Sequence, residues 1–80
     1  MVERRATPRH RTFKGGSISL LGAAGVECIV RNLSPAGACL EVASPIGIPD
    51  DFDLIIRPEY LRRHCHLVWR EAQRIGVHFV

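Results

Sequence analysis

Three features of these 80 residues predict an all-β fold, a six-stranded antiparallel β-barrel with little or no helix. Apolar and polar residues alternate with a period near two through most of the chain. Turn-forming residues cut that pattern into short segments, and the connections are short enough for neighbouring strands to pair. Closing the sheet on itself removes the edges that an open sheet would present. A hydrophobic content of 46% and a mean hydropathy of +0.04 fit one small globular domain, in which nearly every apolar residue must be used.

Residues 1–12 read as an arm ahead of the barrel, which spans residues 13–80. Its stretch "ERRATPRHR", residues 3–11, carries Arg4, Arg5, Arg9 and Arg11 without a periodic apolar face, so a flexible segment is expected. In "SISLL", Ile18 and Leu20 alternate with Ser17 and Ser19, and Gly15-Gly16 suits a bend or bulge within a longer first strand. "GAAG" turns the chain. "VECIVRN" then sets Val26, Cys28 and Val30 on one face and Glu27, Ile29 and Arg31 on the other, before a turn from Asn32 to Gly37. "ACLEV" directs Ala38, Leu40 and Val42 inward.

"ASPIGIPDD" is too rich in Pro, Gly and Asp for a strand interior and reads as a long loop. "FDLIIR" forms the fourth strand, ending at Pro58, and "EYLR" suits a single helical turn with Tyr60 or Leu61 plugging a barrel end. "HCHLVWR" is expected to bury Cys65, Leu67 and Trp69 and expose His64, His66 and Arg70. A hairpin leads into "RIGVHFV", which buries Ile75, Val77 and Phe79.

The net charge of +3 is unevenly spread. Residues 1–14 contribute +4, whereas residues 15–80 set six arginines against seven acids and sum to −1. That distribution favours an anionic ligand gathered at the arm. Every basic residue but Lys14 is arginine, whose planar fork grips phosphate through two hydrogen bonds and stacks on an aromatic base. Cys28, Cys39 and Cys65 are odd in number and lack C-x-x-C spacing, which suits reduced, buried thiols. No apolar run approaches the roughly 18 residues of a membrane span. Thr7, Pro8, His10 and Thr12 stand where a secretory signal would need apolar residues, so a cytoplasmic protein without membrane insertion is expected.

Two short motifs remain. Arg5-Ala6-Thr7-Pro8-Arg9 spaces two arginines four positions apart, and Asn32-x-Ser34-x-x-Gly37 lies between two apolar strands. Taken singly, the first is a solvated tail and the second a turn, in which Asn and Ser bond nearby amides and Gly37 takes a conformation other residues resist. Jointly, R-x-x-x-R in an N-terminal arm and [D/N]-x-S-x-x-G on a barrel are the signature of the PilZ domain family of bacterial cyclic di-GMP receptors, which this chain resembles. The ending "HLVWREAQRIGVHFV" is similar to that family's last hairpin.

The resemblance implies a binding module for the second messenger cyclic di-GMP, with no catalytic role and no metal or other cofactor. It implies that Arg5 and Arg9 hold phosphate and guanine, that Asn32 and Ser34 contact a guanine, and that Gly37 supplies clearance or backbone shape. Arg4 adds a third guanidinium that could stack on a second ligand, so one or two bound molecules both stay open. Ligand binding would order the arm over the barrel and signal to a protein partner. Family members commonly continue into a C-terminal helix, whereas this chain stops at Val80. A minimal form, a cut chain and a surface shared in a homo-oligomer are all open readings.

Three rivals stand beside this reading. A small basic barrel could bind a nucleic-acid polymer, but by alternation most of Phe13, Phe52, Tyr60, Trp69 and Phe79 fall on the core face rather than forming stacking platforms. His64, His66 and His78 share an outer face, yet no carboxylate or thiol stands at a spacing that would complete a zinc site, and Asp50, Asp51 and Asp53 read as solvated turn residues. A degenerate PilZ-like module that only contacts proteins is the third, and the intact Arg5, Arg9, Asn32, Ser34 and Gly37 argue against it.

Overall fold

The structure, a computed structural model, describes residues 10–20 and 25–80. The expected arm residues Arg4, Arg5 and Arg9, and most of the "GAAG" turn, lie outside those residues. Alternation along the chain produces six strands: β1 (His10–Ser19), β2 (Val26–Leu33), β3 (Gly37–Val42), β4 (Asp51–Ile56), β5 (Leu61–Arg70) and β6 (Arg74–Phe79). They close into an antiparallel barrel in the order β1-β2-β3-β6-β5-β4, and no helix occurs among the described residues. Nor is any helix there long and apolar enough to cross a membrane.

The inward positions of the strands meet in one core. Ile18, Val30, Leu40, Leu54, Cys65 and Ile75 are wholly buried, and Cys28, Val42, Phe52, Ile56 and Val77 are nearly so. Ile48 joins them from the connection between β3 and β4, so this loop is anchored by one apolar side chain. Each such burial is worth roughly 1.5–3 kcal/mol relative to exposure. Burial also pushes the Cys28 and Cys65 thiols up to about 12. Both therefore stay protonated at neutral pH and act as small hydrophobes. Cys39 departs from the expected buried state: it is half-buried, because its chain neighbours Ala38 and Leu40 take the inward positions of β3.

Other expectations are corrected. Residues 57–60 form a turn rather than a helix, with Tyr60 at φ 60°, a left-handed conformation that a right-handed helix cannot contain. Tyr60 and Leu61 are exposed, so neither plugs the barrel. Gly15 and Gly16 pair in regular register with Ile29 and Cys28, and the irregularity of β1 falls instead between Arg11 and Lys14. Gly16 serves close packing, since a Cβ there would stand 3.0 Å from the Cys28 sulfur. Asp51 and Asp53 lie in β4 and pair across the sheet with His66 and His64.

Trp69 carries the largest correction. Leu67 pairs with Val77 and Trp69 with Gly76, leaving Val68 as an extra residue that shifts the alternation of β5 by one. The indole is therefore turned to the outer surface, 40% exposed, and lies against Gly76. A similar bulge in β2 leaves Arg31 unpaired between Val30 and Asn32. Both bulges fall on the side of the barrel that carries the asparagine–serine–glycine motif.

Candidate functional site

The residues Asn32 to Gly37 join β2 to β3, and the strands reach further into this stretch than a simple turn would allow. Asn32 and Leu33 still belong to β2, Gly37 opens β3, and only Ser34, Pro35 and Ala36 reverse the chain. Ser34 builds that reversal. Its hydroxyl oxygen accepts hydrogen bonds from the Ala36 and Gly37 amides, each at 3.2 Å, and donates to the Gly37 carbonyl at 3.3 Å. The Ser34 amide donates to the same carbonyl at 2.9 Å. Serine suits this place because a short side chain can satisfy amides two and three residues ahead.

Gly37 is required by the neighbouring strand. A Cβ there would fall 2.2 Å from the Val77 carbonyl oxygen, so any side chain would push β3 off β6. The Phe79 amide also donates to the Ala36 carbonyl at 2.8 Å, which ties the turn to the end of β6. The motif is thus held rigidly at the β3–β6 seam.

Ser34 and Gly37 line a surface hollow of about 270 Å³ together with Cys39, Trp69, Gly76 and His78. Trp69 forms its aromatic wall. The indole can approach so closely because residue 76 is glycine: a Cβ at that position would lie 2.1 Å from the indole nitrogen. The hollow therefore joins hydrogen-bonding backbone, a flat aromatic surface and an imidazole, groups suited to a planar polar ring.

Asn32 faces a second hollow, next to the first across the Asn32–Cys39 backbone pair, and shares it with Phe13, Arg31 and Arg74. The structure thus brings two of the three described motif residues, Ser34 and Gly37, to one hollow and sets Asn32 at the edge of its neighbour. Arg4, Arg5 and Arg9 precede β1 in the chain. That strand begins at His10, whose backbone partner is Leu33, immediately before Ser34.

Sequence reasoning missed the aromatics. It assigned most of them to the core, yet Phe13 is 75% exposed, Tyr60 and Trp69 are exposed, Phe79 is only partly buried, and Phe52 alone lies deep in the barrel. Alternation cannot register a bulge. A tryptophan whose cross-strand partner is glycine is the one signal that could have marked Trp69 as an outer residue, and it requires the register to be known.

The outer histidines form a separate row. His64 Nδ1 stands 2.8 Å from Asp53 and His66 Nδ1 stands 3.1 Å from Asp51. Among the described residues, no group of three or more His, Cys, Asp or Glu side chains is arranged to hold a metal ion.

Comparison with known proteins bears on the whole chain. The family model described as the PilZ domain matches residues 3–80. Among solved structures, the barrel is similar to the Bacillus subtilis inhibitor of motility (MotI/DgrA), with a TM-score of 0.74 at 14% identity. That likeness is one of fold; it covers 98% of this chain and 43% of the other, so the chain spans less than half that protein's length. No curated protein matches.

Proposed function

Because the chain belongs to the PilZ domain family, we propose that it is a receptor for cyclic di-GMP, without catalytic activity or a metal cofactor, that binds its ligand between the N-terminal arm and the hollow of Ser34, Gly37 and Trp69. The observation that carries this reading is the exposed Trp69 beside the motif turn. A guanine needs a flat partner and hydrogen-bonding groups at its edge, and the hollow offers both.

The arm supplies what the barrel lacks. Its arginines would hold the phosphates and bond or stack on guanine, a desolvated cation–π contact being worth about 2 kcal/mol. They are within reach: Arg9 directly precedes His10, and five residues of chain span at most about 18 Å from His10 back to Arg5. Asn32 would bond a guanine edge from the barrel side, and Arg4 would stack on a second molecule if two bind. The arm closing over the barrel is then the signal delivered to a protein partner in the bacterial cytoplasm.

The single tryptophan makes the test direct. Titration of the chain with cyclic di-GMP should change Trp69 fluorescence in a saturable way, and Arg9→Ala should raise the half-saturating concentration by about tenfold or more. A flat response in the wild type would refute the reading and favour a module that only contacts proteins. One rival gains ground from the structure, since Phe13, Tyr60 and Trp69 are exposed as a nucleic-acid barrel would require. An equal response to a single-stranded oligonucleotide would support that rival instead.

A further inference from the structure

The two ends of the barrel differ in shape and charge. At one end β2 finishes at Leu33, β5 begins at Leu61 and β6 finishes at Phe79, and these three side chains line a hollow of about 600 Å³. Register explains the opening. β1 pairs with β4 only from Gly16 to Ser19, so its first half has β2 alone beside it. The β5–β6 pairing stops at Cys65 and Phe79, whereas β5 extends past that pair to Leu61. Apolar side chains are therefore left at the edge of the sheet with no strand of the described residues over them. Lys14 and Arg63 add cationic groups to the same hollow. Lys14 is shared with Glu59 at 3.4 Å, while Arg63, 5.9 Å from the centre of the Phe79 ring, enters no ion pair with a described residue.

The opposite end carries a protruding counterpart. The connection from β3 to β4 holds Ile46 89% exposed, although its surroundings are fixed. Ile48 is anchored in the core, and the Ser44 hydroxyl accepts the Ile46 amide at 3.2 Å. Arg70 braces the loop from β5, donating to the Pro45 carbonyl at 2.9 Å and to the Asp50 carboxylate at 3.2 Å. Gly47, at φ 86°, makes the left-handed step between the two isoleucines. A tip held in this way loses little freedom on docking. Asp50 and Asp51 follow it in the chain, both exposed.

We propose that this chain self-associates head to tail: the Ile46 tip of one copy enters the hollow of Leu33, Leu61 and Phe79 on the next, where Asp50 and Asp51 face Arg63 and Lys14. A second copy fits better than a different partner because both halves of the contact are present here, an apolar residue beside carboxylates and an apolar hollow beside cations. The two surfaces are unlike, so each pair leaves one tip and one hollow unfilled, and further copies can add. One loop tip against one barrel end is a small contact, which makes the association weak and concentration-dependent. It does not rest on the cyclic di-GMP reading.

Sedimentation and amide NMR of the whole chain without ligand, over an about hundredfold range of concentration, test the contact. The average mass should rise beyond that of a dimer. The amides of Ile46, Gly47 and Asp50 should shift with the same midpoint as those of Leu61, Arg63 and Phe79. Ile46→Ser and Arg63→Glu should each raise that midpoint about tenfold or more. Both positions are exposed, and preserved spectral dispersion shows that each variant is folded. An equal mixture of the two variants is decisive, since Ile46→Ser keeps the hollow and Arg63→Glu keeps the tip. The mixture should recover wild-type pairing and stop at dimers. A constant mass in the wild type, association that neither substitution weakens, or a mixture no tighter than either variant alone would overturn the proposal. Shifts at the hollow that accompany residues 1–9 instead of the loop would assign the hollow to the arm and overturn it as well.

Discussion

Ser34 builds its turn and, in the proposed function, also edges the ligand hollow. Its hydroxyl satisfies two amides and a carbonyl of its own turn, so it cannot be removed without loosening the edge of the hollow. Ser34→Ala should cost about 1 kcal/mol in urea denaturation, as the loss of a partly buried hydrogen-bond set does. It should weaken ligand binding at the same time. Glu27 acts at the opposite extreme of exposure. The hydrogen bond from Arg57, with a smaller one from Ser17, holds its carboxyl below the usual carboxylate range. A lowered folded-state pKa means that the ionised pair stabilises the fold above the ordinary carboxylate range, and that this contribution disappears as pH falls through the lowered value. The thermal midpoint of the wild type should therefore drop over that acid interval more than that of Glu27→Gln. The difference should shrink in high salt, because the pair is exposed.

Each strand was readable from its alternation, and its interruptions were not. Val30, Leu40, Leu54 and Ile75 could be assigned to the core from period two alone, and short antiparallel connections account for the pairing within β1-β2-β3 and β4-β5-β6, but not for β3 beside β6 or β1 beside β4. Bulges break that logic, because one extra residue at Val68 leaves composition and hydrophobicity unchanged while reversing the side on which Trp69 emerges. The same holds for Arg31 and Asn32, which share the outer surface although strict alternation would separate them. The helical turn expected at residues 59–62 failed for a similar reason, since nothing local to "EYLR" announces the left-handed Tyr60. Gly76→Ala tests the arrangement of β5 against β6. The added methyl would occupy the place of the indole, so Trp69 must lift away from the strand. Its fluorescence should shift and affinity for cyclic di-GMP should fall about tenfold, with the buried core untouched. Unchanged emission would mean that the indole does not rest on residue 76.

At the scale of the whole molecule, residues 13–80 balance seven basic against seven acidic side chains, and the arginines of residues 1–12, ahead of the closed barrel, hold the excess positive charge. The asparagine–serine–glycine motif begins in the last residues of β2, at the junction where β1 begins opposite them, and the arginine motif precedes β1 in the chain. The aromatic and cationic groups around that junction were hidden, since they come from distant strands brought together only by register. A phosphate ligand bridging arm and barrel would bind more weakly as salt rises. Calorimetric titration of the 80-residue chain with cyclic di-GMP tests the account most directly. Saturable heat that is lost in Arg9→Ala, with a stoichiometry of two falling to one in Arg4→Ala if paired ligands bind, is the predicted result. A wild-type chain that gives no heat, or an Arg9→Ala variant that binds as tightly as wild type, would contradict it.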